Sequence, residues 1–252
     1  MFIKNPKTAK TKSLLNLLII VFALFTCTDA LVKKPNKVLV FSKTEAFRHK
    51  VIPNAIVAIT KLGQENDFEV VATEDATVFT LKNLKKYKAI VFLNTTGNVL
   101  DDRQQKAFEE YIRSGGGFVG IHAASDTEFD WQWYGNLVGA YFSAHPKQQT
   151  ATLKVVNSNH PSTSFLPKKW TRFDEWYNFK WLNPDLNVLI EIDETSYDAG
   201  PKKMGANHPM AWYHEYDGGR AFYTALGHTD GCYQEPLFLQ HLLGGIKYAM
   251  GK

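Results

Sequence analysis

Short continuous apolar runs alternate with longer segments of helical periodicity in the first half of the chain. Four of these runs are typical of strands that are buried on both faces. They are KVLVFS (37–42), FEVVAT (68–73), KAIVFLNT (88–95) and FVGIH (118–122). Apolar residues over 52–62 predict a helix that ends near Gly63, and residues 101–117 predict a second helix. This order predicts an α/β fold with a doubly wound, mainly parallel sheet.

The pattern changes near residue 148, after which strands follow one another without long helices between them. QTATLKVVN (149–157) and NVLIEID (187–193) predict strands, and residues 208–228 predict a β-hairpin that turns at Asp217-Gly218-Gly219. EPLFLQHLLGGIKYAMG (235–251) predicts a closing amphipathic helix. We therefore expect one domain over residues 37–252, in which an added C-terminal β-hairpin region extends the parallel sheet.

The first thirty residues predict a signal peptide rather than a part of this domain. Lysines precede the apolar run LLNLLIIVFALF (14–25), and the small and polar residues TCTDA follow it. The run is short for a membrane span, which leaves a retained anchor as the less favoured alternative. LFTC resembles the site at which bacterial lipoproteins are acylated, here on Cys27. We expect residues 31–36 to be a linker and the protein to be exported, to the periplasm or as an outer-membrane-anchored lipoprotein of a bacterium.

Removal of this leader changes the charge balance. It holds four of the 29 Lys and Arg residues but only one of the 25 Asp and Glu residues, so the remainder is nearly neutral. A nearly neutral chain gives no reason to expect a nucleic-acid partner, and a membrane would be met only through the signal or a lipid anchor. With Cys27 in the leader, Cys232 stands alone and an internal disulfide is excluded.

Polar side chains follow three of the predicted parallel strands, where the strands end. They are Glu45, Arg48 and His49 after the first, Asn94 and Thr95 after the third, and His122, Ser125 and Asp126 after the fourth. Ligands of open parallel sheets bind beyond the carboxyl ends of the strands, so we expect these residues to converge on one site.

Two histidines end apolar runs in the same way, His122 in FVGIH and His228 in AFYTALGH. A histidine at a strand end can serve as a general base, a general acid or a metal ligand near neutral pH. The plainer alternative is a histidine that hydrogen-bonds a neighbouring loop. The pair, each with an aspartate a few residues beyond, favours a functional role.

Acidic residues stand among aromatic ones in two further segments, 126–142 and RFDEWYNFKW (172–181). One or both of Asp174 and Glu175 in the second are suited to acid–base work on a sugar, and Trp133, Trp176 and Tyr177 are candidates for stacking on its ring. The alternative is a buried aromatic cluster under a long loop. Together the two segments favour a carbohydrate ligand, a small-molecule sugar or glycoside.

Three histidines precede a proline, which favours extended loop corners. Of His145, His160 and His208, only His208 is a candidate for substrate binding, because it opens the hairpin that leads to His228. No closely spaced metal-binding motif is present, so no cofactor is required, and a divalent metal stays open only with ligands from distant loops. A serine nucleophile elbow and a phosphate-binding loop are also absent.

Five segments together resemble the ThuA-like (trehalose-utilisation) family over Lys37 to Gly251, in the family's order. They are GGGFVGIHAASD, WYGNLVGAYFSAHP, DEWYNF, HPMAWYHEYDGGRAFYTALGH and EPLFLQHLLGGIKYA. The resemblance implies a flavodoxin-like three-layer sandwich, similar to the class I glutamine amidotransferases. Those enzymes carry a cysteine at the strand-to-helix elbow, where this chain has His122-Ala123, and Cys232 lies in the wrong segment. His228 resembles their later histidine, but glutaminase activity is not expected.

The same resemblance implies a role with disaccharides and glycosides, often alongside oxidoreductases that make 3-keto sugars. We expect an enzyme of hydrolase or lyase type that acts on such sugars without a cysteine nucleophile. In this hypothesis His122 or His228 removes the acidified C2 proton, and Asp126 or Glu175 protonates the departing glycosidic oxygen. Arg48 and His49 hold the keto oxygen. The alternatives are a non-catalytic sugar-binding protein of the same fold and a structural module.

Overall fold

Eleven β-strands and five α-helices form within residues 35–252, which the computed structural model describes together with residues 1–3. The strands are β1 Asn36–Phe41, β2 Phe68–Thr73, β3 Ala89–Leu93, β4 Gly117–Ile121, β5 Ala140–Ala144, β6 Gln149–Val155, β7 Lys169–Asp174, β8 Asn178–Leu182, β9 Asn187–Ile192, β10 Pro209–Tyr216 and β11 Gly219–Thr224. The helices are α1 Ile52–Glu65, α2 Leu81–Leu84, α3 Asp102–Arg113, α4 Gln132–Val138 and α5 Pro236–Ala249.

Nearly all of the expected signal peptide, with Cys27, and residues 31–34 of the expected linker lie outside the described residues. The first strand begins at Asn36, one residue before its predicted start. Within the described ranges, each helix is too short or too polar to cross a bilayer.

Nine of the strands form one sheet in the order β2-β1-β3-β4-β11-β10-β9-β6-β7. Strands β2, β1, β3, β4 and β11 are parallel, and β10, β9, β6 and β7 continue the sheet with antiparallel pairs. The predicted α/β fold with a mainly parallel core and an added β region is confirmed. The hairpin β10–β11 joins the two parts, because β11 pairs in parallel with β4 on its other side.

Alternate residues of the central strands face two helical layers, which gives the three-layer sandwich. The ring of Phe118 in β4 lies 6.2 Å from that of Phe108 in α3. Phe222 in β11, which pairs with Val119, packs instead against Gly245 of α5. Strands β3 and β4 are buried along their whole length. The residues that directly follow them are therefore held in fixed positions.

The predicted helix 101–117 is shorter than expected. It spans Asp102–Arg113, where Asp101 and Gln104 form a capping box at its start, and the glycines after it lead directly into β4. Helix α4 and strands β5, β7 and β8 were not predicted. They come from the two aromatic-rich segments, in which the packing of the rings hides the periodicity of each element.

Close backbone contact makes Gly244 in α5 a sensitive position. A Cβ there would lie 2.4 Å from the carbonyl oxygen of Pro161 and from Cα of Ser162. Gly244→Ala is therefore expected to lower the free energy of unfolding by about 1–3 kcal/mol in urea denaturation, although alanine is the better helix former. Gly231→Ala is the control, because its nearest neighbour lies 3.7 Å away and its φ is −59°. Equal stability of the two variants would contradict the packing described here.

Candidate functional site

Four side chains from separate parts of the chain meet beyond the carboxyl ends of β1, β4, β7 and β11. His49 follows β1, His122 follows β4 directly, Glu175 follows β7, and His228 lies four residues after β11. One ring nitrogen of each histidine and one carboxylate oxygen of Glu175 lie within 4.8 Å of one another. We call these four residues the His–Glu cluster.

The centre of this cluster is His122, whose side chain is fully buried. Its φ of +50° lies in the left-handed region, which is unfavourable for a residue with a Cβ and is tolerated where the surroundings hold it. Nδ1 lies 2.7 Å from the carbonyl oxygen of Ala225 and donates to it, because a carbonyl can only accept. Nε2 of the same ring faces His228 Nδ1 at 3.1 Å and Glu175 Oε2 at 3.4 Å.

The carboxylate of Glu175 links the histidines. Its Oε2 lies 3.0 Å from Nδ1 of His228 and 3.4 Å from Nε2 of His122, and its Oε1 lies 3.3 Å from Nδ1 of His145. Burial opposes ionisation, but hydrogen bonds with His122 and His228 outweigh it and hold the pKa of Glu175 well below its usual range. Burial also lowers the pKa of His49, to about 3, so this ring is neutral.

A fully buried carboxylate, Asp174, fixes the loop that carries His228. It accepts from the backbone N–H groups of Gly227 and His228 at 2.9 and 3.1 Å. It also pairs with the buried guanidinium of Arg172 at 3.1 Å and accepts from the Cys232 thiol at 3.3 Å. Burial and the neighbouring Asp174 raise the pKa of Cys232 to about 11, so the thiol is not an activated nucleophile.

A pocket of about 400 Å³ opens above the cluster. Its walls combine aromatic rings with polar and titratable side chains, which are Phe47, His49, Asp126, Phe142, His145, Gln148, Glu175, Tyr177 and His228. Asp126 ends the 3₁₀ turn that begins with His122. Burial raises the pKa of Asp126 to about 6, against the opposing charges of Lys180, His122 and His145.

The structure thus brings His49, His122, Asp126, Glu175 and His228 together. The strand-end argument predicts this for His49, His122 and Asp126, whereas Glu175 and His228 are candidates from other parts of the sequence. Neither Arg48 nor Glu45 lines the pocket. Arg48 makes two hydrogen bonds to Glu74, at 2.7 and 3.0 Å, and Glu45 pairs with Lys43 at 2.7 Å. Both lie in partly exposed ion pairs in the exposed segment that precedes the buried His49.

Three other predicted binding residues are occupied by structural contacts. His208 is buried between Glu194 at 2.8 Å and the Tyr177 carbonyl oxygen at 2.7 Å. The fully buried Trp176 donates its indole N–H to a backbone carbonyl, that of Gln149. Trp133 lies on α4, where it donates to Asp217 and packs against Phe108. These tryptophans therefore belong to the packing of the fold and not to the pocket wall.

The remaining predicted residues are buried beside the strand ends without lining the pocket. Ser125 hydrogen-bonds Tyr223 at 2.9 Å, and Thr95 hydrogen-bonds Thr127 at 2.9 Å. Asn94 has a φ of +50°, and its buried amide has no hydrogen-bond partner among the described residues. We see no direct role for these three side chains in contacting a ligand.

Sequence reasoning missed several pocket residues, most clearly His145 and Gln148. The proline after His145 predicts only a loop corner, whereas the His145 ring faces Glu175 and stacks near Tyr177. Gln148 lies 2.8 Å from Nε2 of His228. The aromatic wall consists of Phe47, Phe142 and Tyr177, of which the sequence predicts Tyr177 as a stacking residue but neither phenylalanine.

Fold and site together define an α/β protein whose mainly parallel sheet carries a cluster of three histidines and a glutamate at its strand ends, and this fold is consistent with a glutamine amidotransferase-like architecture. The chain belongs to the ThuA family, whose description is trehalose utilisation and whose sequence profile matches residues 37–249. This membership implies a role related to carbohydrates. No curated protein sequence matches the chain.

Solved structures of the same family share this fold. A ThuA-like protein from Bacteroides uniformis is 27% identical with a TM-score of 0.74, covering 86% of this chain and 92% of its own. Another from Parabacteroides merdae is 21% identical with a TM-score of 0.72, covering 87% and 91%. A β-galactosidase from Bacillus circulans has similar architecture over 86% of this chain and 31% of its own, with 13% identity and a TM-score of 0.57. The last two likenesses show the fold alone.

Proposed function

We propose that this protein is a carbohydrate-active enzyme that cleaves a 3-keto-glycoside by acid–base elimination in the pocket above the His–Glu cluster. The observation that carries the proposal is the pair of carboxylates in this pocket. Burial raises the pKa of Asp126 to about 6, whereas hydrogen bonds hold the pKa of Glu175 well below its usual range. Two carboxylates with divergent pKa values in one pocket are typical of acid–base sites.

These environments favour different roles for the groups. Glu175 stays ionised and has no proton to give, and His122 is fully buried with both ring nitrogens engaged. Asp126 lines the pocket and has a pKa that allows it to take and return a proton near neutral pH. This revises the sequence-based hypothesis, in which a histidine was the base.

The reaction needs no nucleophile. The keto group at C3 acidifies the C2 proton, which the Asp126 carboxylate removes. The C–H electron pair forms the enolate, which then expels the glycosidic oxygen from C1 as the C1–C2 double bond forms. The oxygen takes the proton back from Asp126, so the products are a free alcohol and an unsaturated 3-keto sugar.

The aromatic wall supplies binding for the sugar. Phe47, Phe142 and Tyr177 present apolar faces to the pocket, on which the C–H groups of a sugar ring can pack. His145 and Gln148 at the same wall can hydrogen-bond its hydroxyl groups. The cluster at the inner end then faces the keto oxygen.

A panel of paired substrates tests the proposal. The purified protein is incubated with aryl 3-keto-glycosides and with the parent glycosides, and alcohol release is followed. Release from the keto forms only is expected, since the parents lack the acidified C2 proton. Tight calorimetric binding of the parent glycosides without release from either form would instead support a non-catalytic sugar-binding protein.

The titration of Asp126 sets the expected pH dependence. Because the carboxylate is the active form, kcat/KM for the keto substrate should rise with pH and level off above about pH 6. The groups that face it and lower its pKa are Lys180, His122 and His145, so their protonation moves the midpoint downward. Initial rates across this range provide the test, and a flat profile would contradict the assignment.

We also propose that the reaction takes place after export and follows an oxidoreductase that makes the 3-keto sugar. The order of lysines, apolar run and small residues in residues 1–30 supports export. Fractionation of expressing cells should place a shortened protein outside the cytoplasm. Cys27→Ser distinguishes acylation from simple cleavage, and a cytoplasmic chain of full length would contradict export.

A further inference from the structure

We propose that His49, His122, Glu175 and His228 bind a divalent transition-metal ion, with zinc as the reference ion, and that this ion holds the keto oxygen of the sugar. The first half of this inference stands on the geometry of the cluster alone. The second half rests on the proposed function. The four residues come from four separate loops, which is why no spacing in the sequence points to them.

Three of the ligand atoms already stand at the separations that metal ligation requires. His122 Nε2 lies 3.1 Å from His228 Nδ1 and 3.4 Å from Glu175 Oε2, and the last two atoms are 3.0 Å apart. Bonds of about 2.0–2.1 Å in a tetrahedral site separate the ligand atoms by about 3.3 Å. The triangle is therefore close to one face of a zinc tetrahedron. His49 supplies a fourth atom within 4.8 Å of the others.

The contacts behind the ligands orient their lone pairs inward. Metal-bound histidines commonly donate their other ring N–H to a carbonyl or carboxylate, which fixes the tautomer. His122 does so through Nδ1 to the Ala225 carbonyl oxygen at 2.7 Å. Nε2 of Gln148 lies 2.8 Å from Nε2 of His228. With the amide flipped, its oxygen takes this place and accepts from the His228 nitrogen. The lone pair on Nδ1 of His228 then faces the metal.

His49 is the least satisfied member of the cluster. Its side chain is buried, with 4% of the residue exposed, and Nδ1 has no hydrogen-bond partner among the described residues. A buried polar nitrogen without a partner costs free energy, which a metal or a metal-bound water at this position would remove. Phe47 packs edge-on against the ring at 4.8 Å between centroids and limits its movement.

The net charge of the cluster explains what a divalent ion would do in the proposed reaction. With the imidazoles neutral, as ligation requires, the carboxylate of Glu175 makes the cluster net negative. A negative cluster would repel the enolate oxygen that develops when the C2 proton leaves. A divalent cation changes the sign of this field and places a positive charge where the new negative charge forms. Imidazole and carboxylate ligands together suit zinc, iron, nickel or manganese.

Zinc titration into chelator-treated full chain tests the site without measuring activity. Calorimetry should give one equivalent of saturable binding, and bound zinc should raise the thermal midpoint of unfolding. Glu175→Gln removes the charged ligand with little change in shape and should weaken binding by more than about 100-fold, beyond the loss typical of changing a group that only orients a ligand. His49→Ala serves as the second variant if Glu175→Gln does not fold by circular dichroism.

Asp126→Asn is the matched control, since it lines the same pocket without belonging to the cluster. It should bind zinc like the wild type while losing turnover. Absence of saturable zinc binding, or equal affinity in the wild type and both cluster variants, would overturn the metal site. Zinc binding at the cluster without turnover of any keto substrate would uphold the metal site and overturn the proposed function. Turnover that continues in zinc-free protein would overturn the metal's role alone.

Discussion

Replacing Asp126 with asparagine is expected to lower kcat on a 3-keto-glycoside by about 10²–10⁴-fold, the usual contribution of one acid–base group. The amide keeps the size of the carboxyl but can neither take the C2 proton nor return it to the leaving oxygen. KM should change little, because the aromatic wall and the cluster still bind the sugar. Steady-state rates of alcohol release provide the measurement.

The fold of this variant is expected to be at least as stable as the wild type at pH 7. Burial raises the pKa of Asp126 from 3.8 to about 6, so the folded state favours the protonated form. The stabilisation that comes from the protonated Asp126 side chain is complete below the pKa that this group has in the unfolded state. It is lost as pH rises through the pKa that the group has in the folded state. Asp126→Asn cannot ionise, so it does not lose this stabilisation at pH 7. Asp130→Asn changes an exposed aspartate and is the control, which should keep full activity. An active Asp126→Asn enzyme would contradict the role of Asp126.

Replacing Asp174 with alanine is expected to lower the free energy of unfolding by about 3–5 kcal/mol, because it leaves a buried cation without its main partner. Among the described residues, Arg172 would keep Glu235, at 3.0 Å, as its ion-pair partner. The backbone N–H groups of Gly227 and His228 would also lose their acceptor. Urea denaturation monitored by circular dichroism provides the measurement.

Two controls separate this effect from the loss of any acidic residue. Glu69→Ala removes an exposed ion pair with Lys37 at 2.8 Å and should cost less than about 1 kcal/mol. Asp174→Asn retains an oxygen that can accept from the backbone, so its loss should be intermediate. Equal stability of Asp174→Ala and Glu69→Ala would show that the network does not hold the His228 loop.

The sequence predicts the parallel core well because strands buried on both faces leave continuous apolar runs. β3 and β4 are of this kind, and each is buried along its whole length. The aromatic-rich segments are different. β7 alternates buried and exposed residues and ends at Asp174, so one short stretch contains a strand end, a loop and the start of β8. Hydrophobic pattern alone cannot divide such a stretch.

The sequence also predicts where the site lies, but not which neighbouring side chain enters it. His49 joins the cluster, whereas the adjacent Arg48 turns to Glu74. Glu175 joins it, whereas the adjacent Trp176 is buried against the backbone of Gln149. Topology brings the loops to one edge of the sheet. The direction of each side chain depends on the packing of the loop, which no local pattern records.

The fate of the C2 hydrogen tests the central claim most directly. A 3-keto-glycoside is turned over in deuterated water, and alcohol release and loss of the C2 protium are followed together by NMR, with Asp126→Asn as the measure of background exchange. The proposed elimination predicts that the C2 protium is lost at the rate at which alcohol appears, in the wild type only. Alcohol release with the C2 protium retained would contradict it.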